Sequence, residues 1–252
     1  MTTAAPLPSR DVRPGIWCQL GDAVATRIAA RSGAAWVCLD AQHGLFDRAA
    51  IAATLAARDD DWAPVAIRTT AVDAAEIGYA LDAGADWVIV PLVETVEQVR
   101  RAVAAAYYPP LGRRSWGPLT PVWDRPAPDP AAANAAGRLW IMIETAEGLD
   151  ALDELFAVPG VSGVLVGPND LALSLGLDQD AMLADTRPEA PVQRILAAAT
   201  RAGIVAAAFG GTPERGARLL AQGYGYVIVG TDAAALATGV RGLLAQSRAE
   251  AR

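Results

Sequence analysis

Four stretches of the chain repeat one phrase: GAAWVCLD at 33–40, GADWVIVP at 84–91, GVSGVLVG at 160–167 and GYGYVIVG at 223–230. Each follows a helix-like segment rich in Ala, Leu, Arg and Glu, such as ALDA or RLLAQ, and each ends seven positions after its glycine. Glycine is the expected residue just past a helix, because it tolerates positive φ. The run after it is apolar at nearly every position, the mark of a strand buried on both faces of a parallel sheet. Four more apolar runs fill the gaps: IWCQL at 16–20, PVAIRT at 64–69, LWIMIE at 139–144 and GIVAAAF at 203–209. Eight β/α units in 252 residues fit a (β/α)8 TIM barrel, a single domain over 1–252 with 1–12 as a flexible N-terminal extension. A doubly wound sheet is the alternative, but CQLGDAVATR lacks the glycine-rich dinucleotide loop expected after its first strand. The Pro/Ala-rich stretch 121–138 reads as a long loop with a short helix.

Composition narrows the chemistry. All 21 basic residues are arginine. Without lysine, Schiff-base aldolases, internal pyridoxal-phosphate aldimines and Walker-type phosphate loops are excluded. The net charge of −7 and the absence of a basic stripe argue against nucleic acid. No apolar stretch reaches the roughly 18 residues of a membrane span, and the N-terminus lacks a signal-peptide core. A cytoplasmic protein is expected. Cys18 and Cys38 lie in apolar runs and read as buried free thiols, so a Cys/His zinc cluster is not available.

In a barrel, function collects at the C-terminal ends of the strands. There the second strand ends in Asp40, with Gln42 and the only histidine, His43, next. The third carries Arg68, the fifth ends in Glu144, and the sixth runs into GPND with Asn169 and Asp170. Two carboxylates on neighbouring strands, Glu144 and Asp170, suit an octahedral divalent cation; an N-cap role for Asp170 and a salt bridge for Glu144 are the structural alternatives. Arg68 offers a planar fork for a carboxylate or an internal ion pair. His43 is a general base with Asp40 near enough to orient its ring, or a satisfied loop histidine. GPND before LALSLG presents backbone N–H groups at a helix start, a site for an anion. Together these parts suit metal-assisted enolisation of a 2-oxo acid.

The order and spacing of GIWCQLGD, GAAWVCLDAQHGLFD, VAIRT, LDAGADWVIVPLVET, YYPPLGRRSWGP, IMIET, VSGVLVGPNDLALSLG and VGTDAAAL, over about residues 12–245, resemble the HpcH/HpaI family of metal-dependent pyruvate aldolases. The resemblance implies a TIM barrel of the phosphoenolpyruvate/pyruvate-binding type and a divalent metal, Mg²⁺, Mn²⁺ or Co²⁺. It implies reversible cleavage of a 4-hydroxy-2-oxo acid to pyruvate (or hydroxypyruvate) and an aldehyde. It makes His43 the proton acceptor and Arg68 the transition-state stabiliser. Glu144 and Asp170 become the metal ligands, and the backbone around Gly167, Asn169 and Asp170 the carboxylate site. It assigns Asp82 to raising the basicity of the histidine, although the strand order puts Asp82 on the opposite rim, within reach only across a subunit boundary. It also implies a homo-oligomer, a hexamer built as a trimer of dimers that exchange their last helix, TDAAALATGVRGLLAQSRAEA. Two positions depart from the commoner pattern: Gln42 where many members have Glu, and Met142 where many have a substrate-binding Gln. RRSWGP places Arg114 near the site and Trp116 as a possible lining residue. A citrate-lyase-type acyl-CoA lyase is a second reading, disfavoured by the acidic, lysine-free composition. A catalytically silent barrel that binds a 2-oxo acid is a third.

Overall fold

The computed structural model describes residues 12–250; the expected flexible extension at 1–12 therefore lies almost wholly outside the described residues. Eight parallel strands close on themselves in chain order. They are β1 (Arg13–Cys18), β2 (Trp36–Asp40), β3 (Val65–Arg68), β4 (Trp87–Val90), β5 (Leu139–Ile143), β6 (Val161–Val166), β7 (Val205–Phe209) and β8 (Tyr226–Thr231). The helices between them are α1 (Ala23–Arg31), α2 (Arg48–Ala56), α3 (Ala74–Asp82), α4 (Val96–Ala106), α5 (Pro130–Ala135), α6 (Ala146–Asp150) and α7 (Leu152–Phe156). The rest are α8 (Pro168–Leu175), α9 (Gln179–Ala184), α10 (Pro191–Ala202), α11 (Pro213–Gln222) and the terminal α12 (Asp232–Glu250). The TIM barrel expected from the repeat is the architecture found. Gly84, two residues past α3, and Gly223, directly after α11, sit at φ 96° and 111°, the left-handed conformation common at a helix stop.

The first strand differs from its apolar run. It begins at Arg13 and ends at Cys18, which leaves Gln19 and Leu20 in the following turn. Arg13, Pro14 and Gly15 pair with Tyr226, Val227 and Ile228 of β8, so neighbour pairing rather than apolarity sets the start.

Side chains alternate across each strand with period two. One set, including Val37, Leu39, Ile67, Val88, Ile141 and Val164, packs outward on the helices. The other fills the barrel with Trp17, Trp36, Trp87, Trp140, Met142, Leu165 and Ile228. Trp36, Trp87, Trp140 and Tyr226 stand at the early ends of their strands with ring centroids 4.8–6.1 Å apart. They floor the barrel, so a cavity can open only at the other end. Two glycines make room for this plug. A Cβ on Gly15 would lie 2.4 Å from Trp36 Nε1, and one on Gly163 2.5 Å from Trp140 Nε1. Gly163→Ala should therefore lower stability by about 1–3 kcal/mol through overpacking, measured as a reduced urea midpoint at unchanged m-value.

The helix-poor stretch between α4 and β5 holds a short 3-10 turn at Thr120–Trp123 and α5, as its composition implies. It connects a helix to the start of a strand, so it lies under the floor, opposite the strand C-terminal ends. Cys18 and Cys38 are buried free thiols. No helix among the described residues is long and apolar enough to cross a membrane.

Candidate active site

Asp40 and Arg68 continue the inward parity of β2 and β3, where their backbones are in register. The Asp40 side chain is fully buried, and it meets Arg68 through two parallel bonds, Nε to Oδ1 at 2.9 Å and Nη2 to Oδ2 at 2.7 Å. Trp17 Nε1 donates to Oδ2 at 2.9 Å, and the Arg68 guanidinium lies 5.0 Å from the Trp17 ring centroid. Oδ1 also accepts the backbone N–H groups of Gln42 and His43, at 3.0 and 3.2 Å. Burial alone would raise the Asp40 pKa; the hydrogen bonds and charge of Arg68, with Trp17, outweigh it and hold the carboxyl below its ordinary range.

This corrects one expectation. Asp40 does not orient the His43 ring; its oxygens are committed to Arg68, Trp17 and the loop backbone. The pair fixes Arg68 instead, and bends the loop so that the His43 side chain is exposed on the rim. The neighbouring Gln42 Oε1 is buried without a hydrogen-bond partner among the described residues.

Across the barrel mouth, Glu144 follows β5 and is 2% exposed. Its Oε1 accepts the backbone N–H of Leu92 at 2.7 Å. Leu92 adopts φ 55°, unusual for a branched residue, and this turn aims its N–H at the carboxylate. A Cβ on Gly167 would lie 2.8 Å from Glu144 Oε2, so only glycine leaves that oxygen clear. Asp170 sits in the first turn of α8, close enough for its charge to act on Glu144. Arg68 is close enough to affect Glu144 as well. Burial first, and then the Asp170 charge, push the Glu144 pKa to about 6. Two hard oxygen donors held together, one costly to ionise alone, fit a divalent cation in their chemistry. No group of three or more His, Cys, Asp or Glu that could hold a metal occurs among the described residues. The pair would leave most coordination positions to water and substrate.

The raised value has a consequence for stability. The unfolded glutamate titrates near 4.5, so ionising Glu144 in the metal-free fold is penalised between pH 4.5 and about 6. Stability should fall by about 2 kcal/mol as pH rises through that window and then level off. Urea unfolding of chelator-treated protein checks this, and Glu144→Gln should abolish the step.

Met142 lies between the two halves, 2% exposed, with Sδ 4.0 Å from Arg68 Nη1. A thioether is a weak acceptor, so Nη1 keeps its donating capacity for a ligand. Asn169 is exposed beside Asp170, and its Oδ1 accepts from Gln179 Nε2 at 2.5 Å. Arg114 and Trp116 are not near this constellation within one chain, contrary to the expectation from RRSWGP. Arg114 pairs with Asp82 at the end of α3, under the floor, and Trp116 packs on Tyr108, 5.4 Å between centroids. The reason is connectivity: residues after α4 emerge at the rim where strands begin. Sequence reasoning missed Trp17, whose inward parity on β1 was the available signal, and Leu92, whose contribution is a backbone N–H that residue type does not reveal.

A closed eight-stranded parallel barrel with its polar side chains gathered at the C-terminal ends of the strands has the architecture of a (β/α)8 barrel enzyme. Residues 13–238 match the model of the HpcH/HpaI aldolase/citrate lyase family, and the chain belongs to that family. It is 35% identical to a hydroxypyruvate/pyruvate aldolase of Roseovarius nubinhibens, over 99% of this chain and 97% of that one. It is 34% identical to the 2-keto-3-deoxy-L-rhamnonate aldolase of Escherichia coli K12, over 88% of this chain and 84% of that one. A crystal structure of an HpcH/HpaI aldolase/citrate lyase family protein from Burkholderia cenocepacia superposes with a TM-score of 0.82 at 27% identity, covering 95% of each chain.

Proposed function

We propose that this site forms the enolate of pyruvate or hydroxypyruvate and adds it reversibly to an aldehyde, with Mg²⁺, Mn²⁺ or Co²⁺ held by Glu144 and Asp170. The chain is an aldolase, a carbon–carbon lyase, in keeping with its nearly full-length aldolase relatives. The single observation that carries the mechanism is Arg68 fixed by Asp40 on one side while facing the Glu144–Asp170 pair on the other. When bound, the cation supplies Lewis-acid polarisation of the 2-oxo acid.

The residues of the chain do the rest. At the α8 N-terminus the backbone N–H groups of Asn169 and Asp170 are left for the substrate carboxylate, since Pro168 has none and that of Gly167 donates to the Ile143 carbonyl at 3.1 Å. Arg68 Nη1 stabilises negative charge as it develops on the substrate oxygen, and needs no reorganisation because Asp40 already holds the guanidinium. His43, exposed on the rim, accepts the C3 proton in the enolising direction. In cleavage it accepts the proton of the C4 hydroxyl. A citrate-lyase-type reaction is not favoured.

We also propose a cytoplasmic homo-oligomer, a trimer of dimers. Only Asp232 of α12 is buried, and Leu236, Val240, Leu243 and Leu244 form an exposed apolar face at helical spacing. An apolar groove lined by Ile16, Ile28, Ala29 and Val229 lies where that helix leaves the barrel. Exchange of α12 between two copies would cover both surfaces.

The test is exchange of pyruvate methyl protons with solvent deuterium, followed by NMR, with each of the three metals and with chelator. Exchange that depends on metal is the expected result. No exchange with any of them would remove the aldolase mechanism.

A further inference from the structure

The first residue of α12 is a buried carboxylate that the reaction above does not use. Asp232 is 7% exposed. Its Oδ1 accepts from the backbone N–H groups of Gln19 and Ala233, at 2.9 and 2.8 Å, and its Oδ2 from that of Leu20 at 3.1 Å. The bond to Ala233 is local to the helix start. The other two reach a turn more than 200 residues away in sequence, which ordinary helix capping does not explain.

That turn, after β1, carries the load onward. The backbone N–H of Leu45 donates to the Gln19 carbonyl at 2.8 Å. A Cβ on Gly44 would lie 3.1 Å from Gln19 Cα, and one on Gly21 2.4 Å from the Leu45 carbonyl oxygen. The two loops thus touch backbone to backbone, with no side chain between them to absorb a shift. The His43 segment is held on its inner side by Asp40 and on its outer side, through Gln19, by Asp232.

We infer that Asp232 is a positioning residue for His43, so that the seating of α12 sets the placement of the proton acceptor. The inference rests on the assignment of His43 made above. Charge-assisted bonds from a buried carboxylate are stronger than the water contacts that would replace them. Misplacing a reacting group by about 1 Å is enough to lose roughly 10²-fold in rate.

The experiment compares the full-length variants Asp232→Ala, Asp232→Asn, Leu45→Pro and the Asp232→Asn/Leu45→Pro pair. Hydrogen–deuterium exchange of peptides covering 41–46 reads the clamp independently of catalysis. Faster exchange there in the Asp232 variants is expected, and unchanged protection overturns the inference whether or not the enzyme turns over. A wild type that fails to enolise pyruvate counts instead against the His43 assignment. In turnover, Asp232→Ala should lower kcat by about 10- to 10²-fold while KM for the 2-oxo acid stays within about twofold, since its binding groups are untouched. Asp232→Asn should be intermediate, because the amide keeps one acceptor oxygen and turns a donor toward the Leu20 N–H. Leu45 is exposed, so Leu45→Pro removes the link to Gln19 without opening the core and should give the same split. The pair should be no worse than its poorer member, as expected for one chain of contacts broken twice. Additive losses, or unchanged kcat in folded Asp232→Asn and Leu45→Pro, would overturn it. If Asp232→Ala does not fold, the other variants decide.

Discussion

Replacing His43 with alanine should slow metal-dependent exchange of pyruvate methyl protons by about 10²-fold or more, with stability unchanged within about 0.5 kcal/mol. The separation of the two effects follows from where the ring sits. His43 is exposed, and among the described residues only its backbone N–H, donated to Asp40, ties it to the structure. Alanine keeps that bond and removes no packed contact. The chain has no second histidine and no lysine, so no other imidazole or amine can take over. Arg68 and the Glu144–Asp170 pair remain, so substrate affinity should change little. Undiminished exchange in a folded His43→Ala protein would place the proton acceptor elsewhere.

Replacing Arg68 with alanine should damage both activity and stability. It removes the donor that faces developing charge, a loss of about 10²- to 10³-fold in kcat. It also strands the Asp40 carboxylate, whose side chain is fully buried, without its bidentate partner. Breaking a buried pair from one side costs about 3–5 kcal/mol. The Arg68→Ala/Asp40→Ala protein should regain part of that stability, because the uncompensated charge is gone, and none of the activity. Equal stability in single and double variants would show that the pair is not the source of the penalty.

The pH dependence gives an independent check. Since the Asp40 pKa is lowered in the fold, its contribution is fully present above its ordinary value of 3.8 and is lost as pH falls through the lower folded-state value. Removing Arg68 abolishes that lowering, so acid unfolding of Arg68→Ala should begin at higher pH than in the wild type. Urea titrations from pH 2 to 7 read both effects.

Much of the architecture was legible in the chain because local chemistry announces it. In four stretches a glycine after a helical segment, followed by a doubly apolar run, marks where a helix stops and a buried strand begins, and GADWVIVP became β4 on that basis. Alternation then puts Asp40 and Arg68 on the inside of the adjacent strands β2 and β3, and Glu144 inward just past the end of β5. What they touch was not legible. Asp40 lies three residues from His43, yet its strongest partner is Arg68 on the adjacent strand, because inter-strand register brings side chains closer than chain neighbours across a turn. RRSWGP reads as active-site chemistry by residue type, but its position after a helix sends it to the other rim.

By itself, then, the sequence determined the eightfold strand and helix repeat, the exclusion of lysine chemistry, and the short set of polar residues that can act at strand ends. These depend on residue type and on spacing within one or two turns of chain. The tertiary structure decided the pairings: Asp40 with Arg68 rather than with the imidazole, Leu92 N–H with Glu144, and Asp232 with the turn after β1. Closing the barrel brings β1 against β8, so contacts between residues more than 200 positions apart are set by a geometry that no local stretch contains.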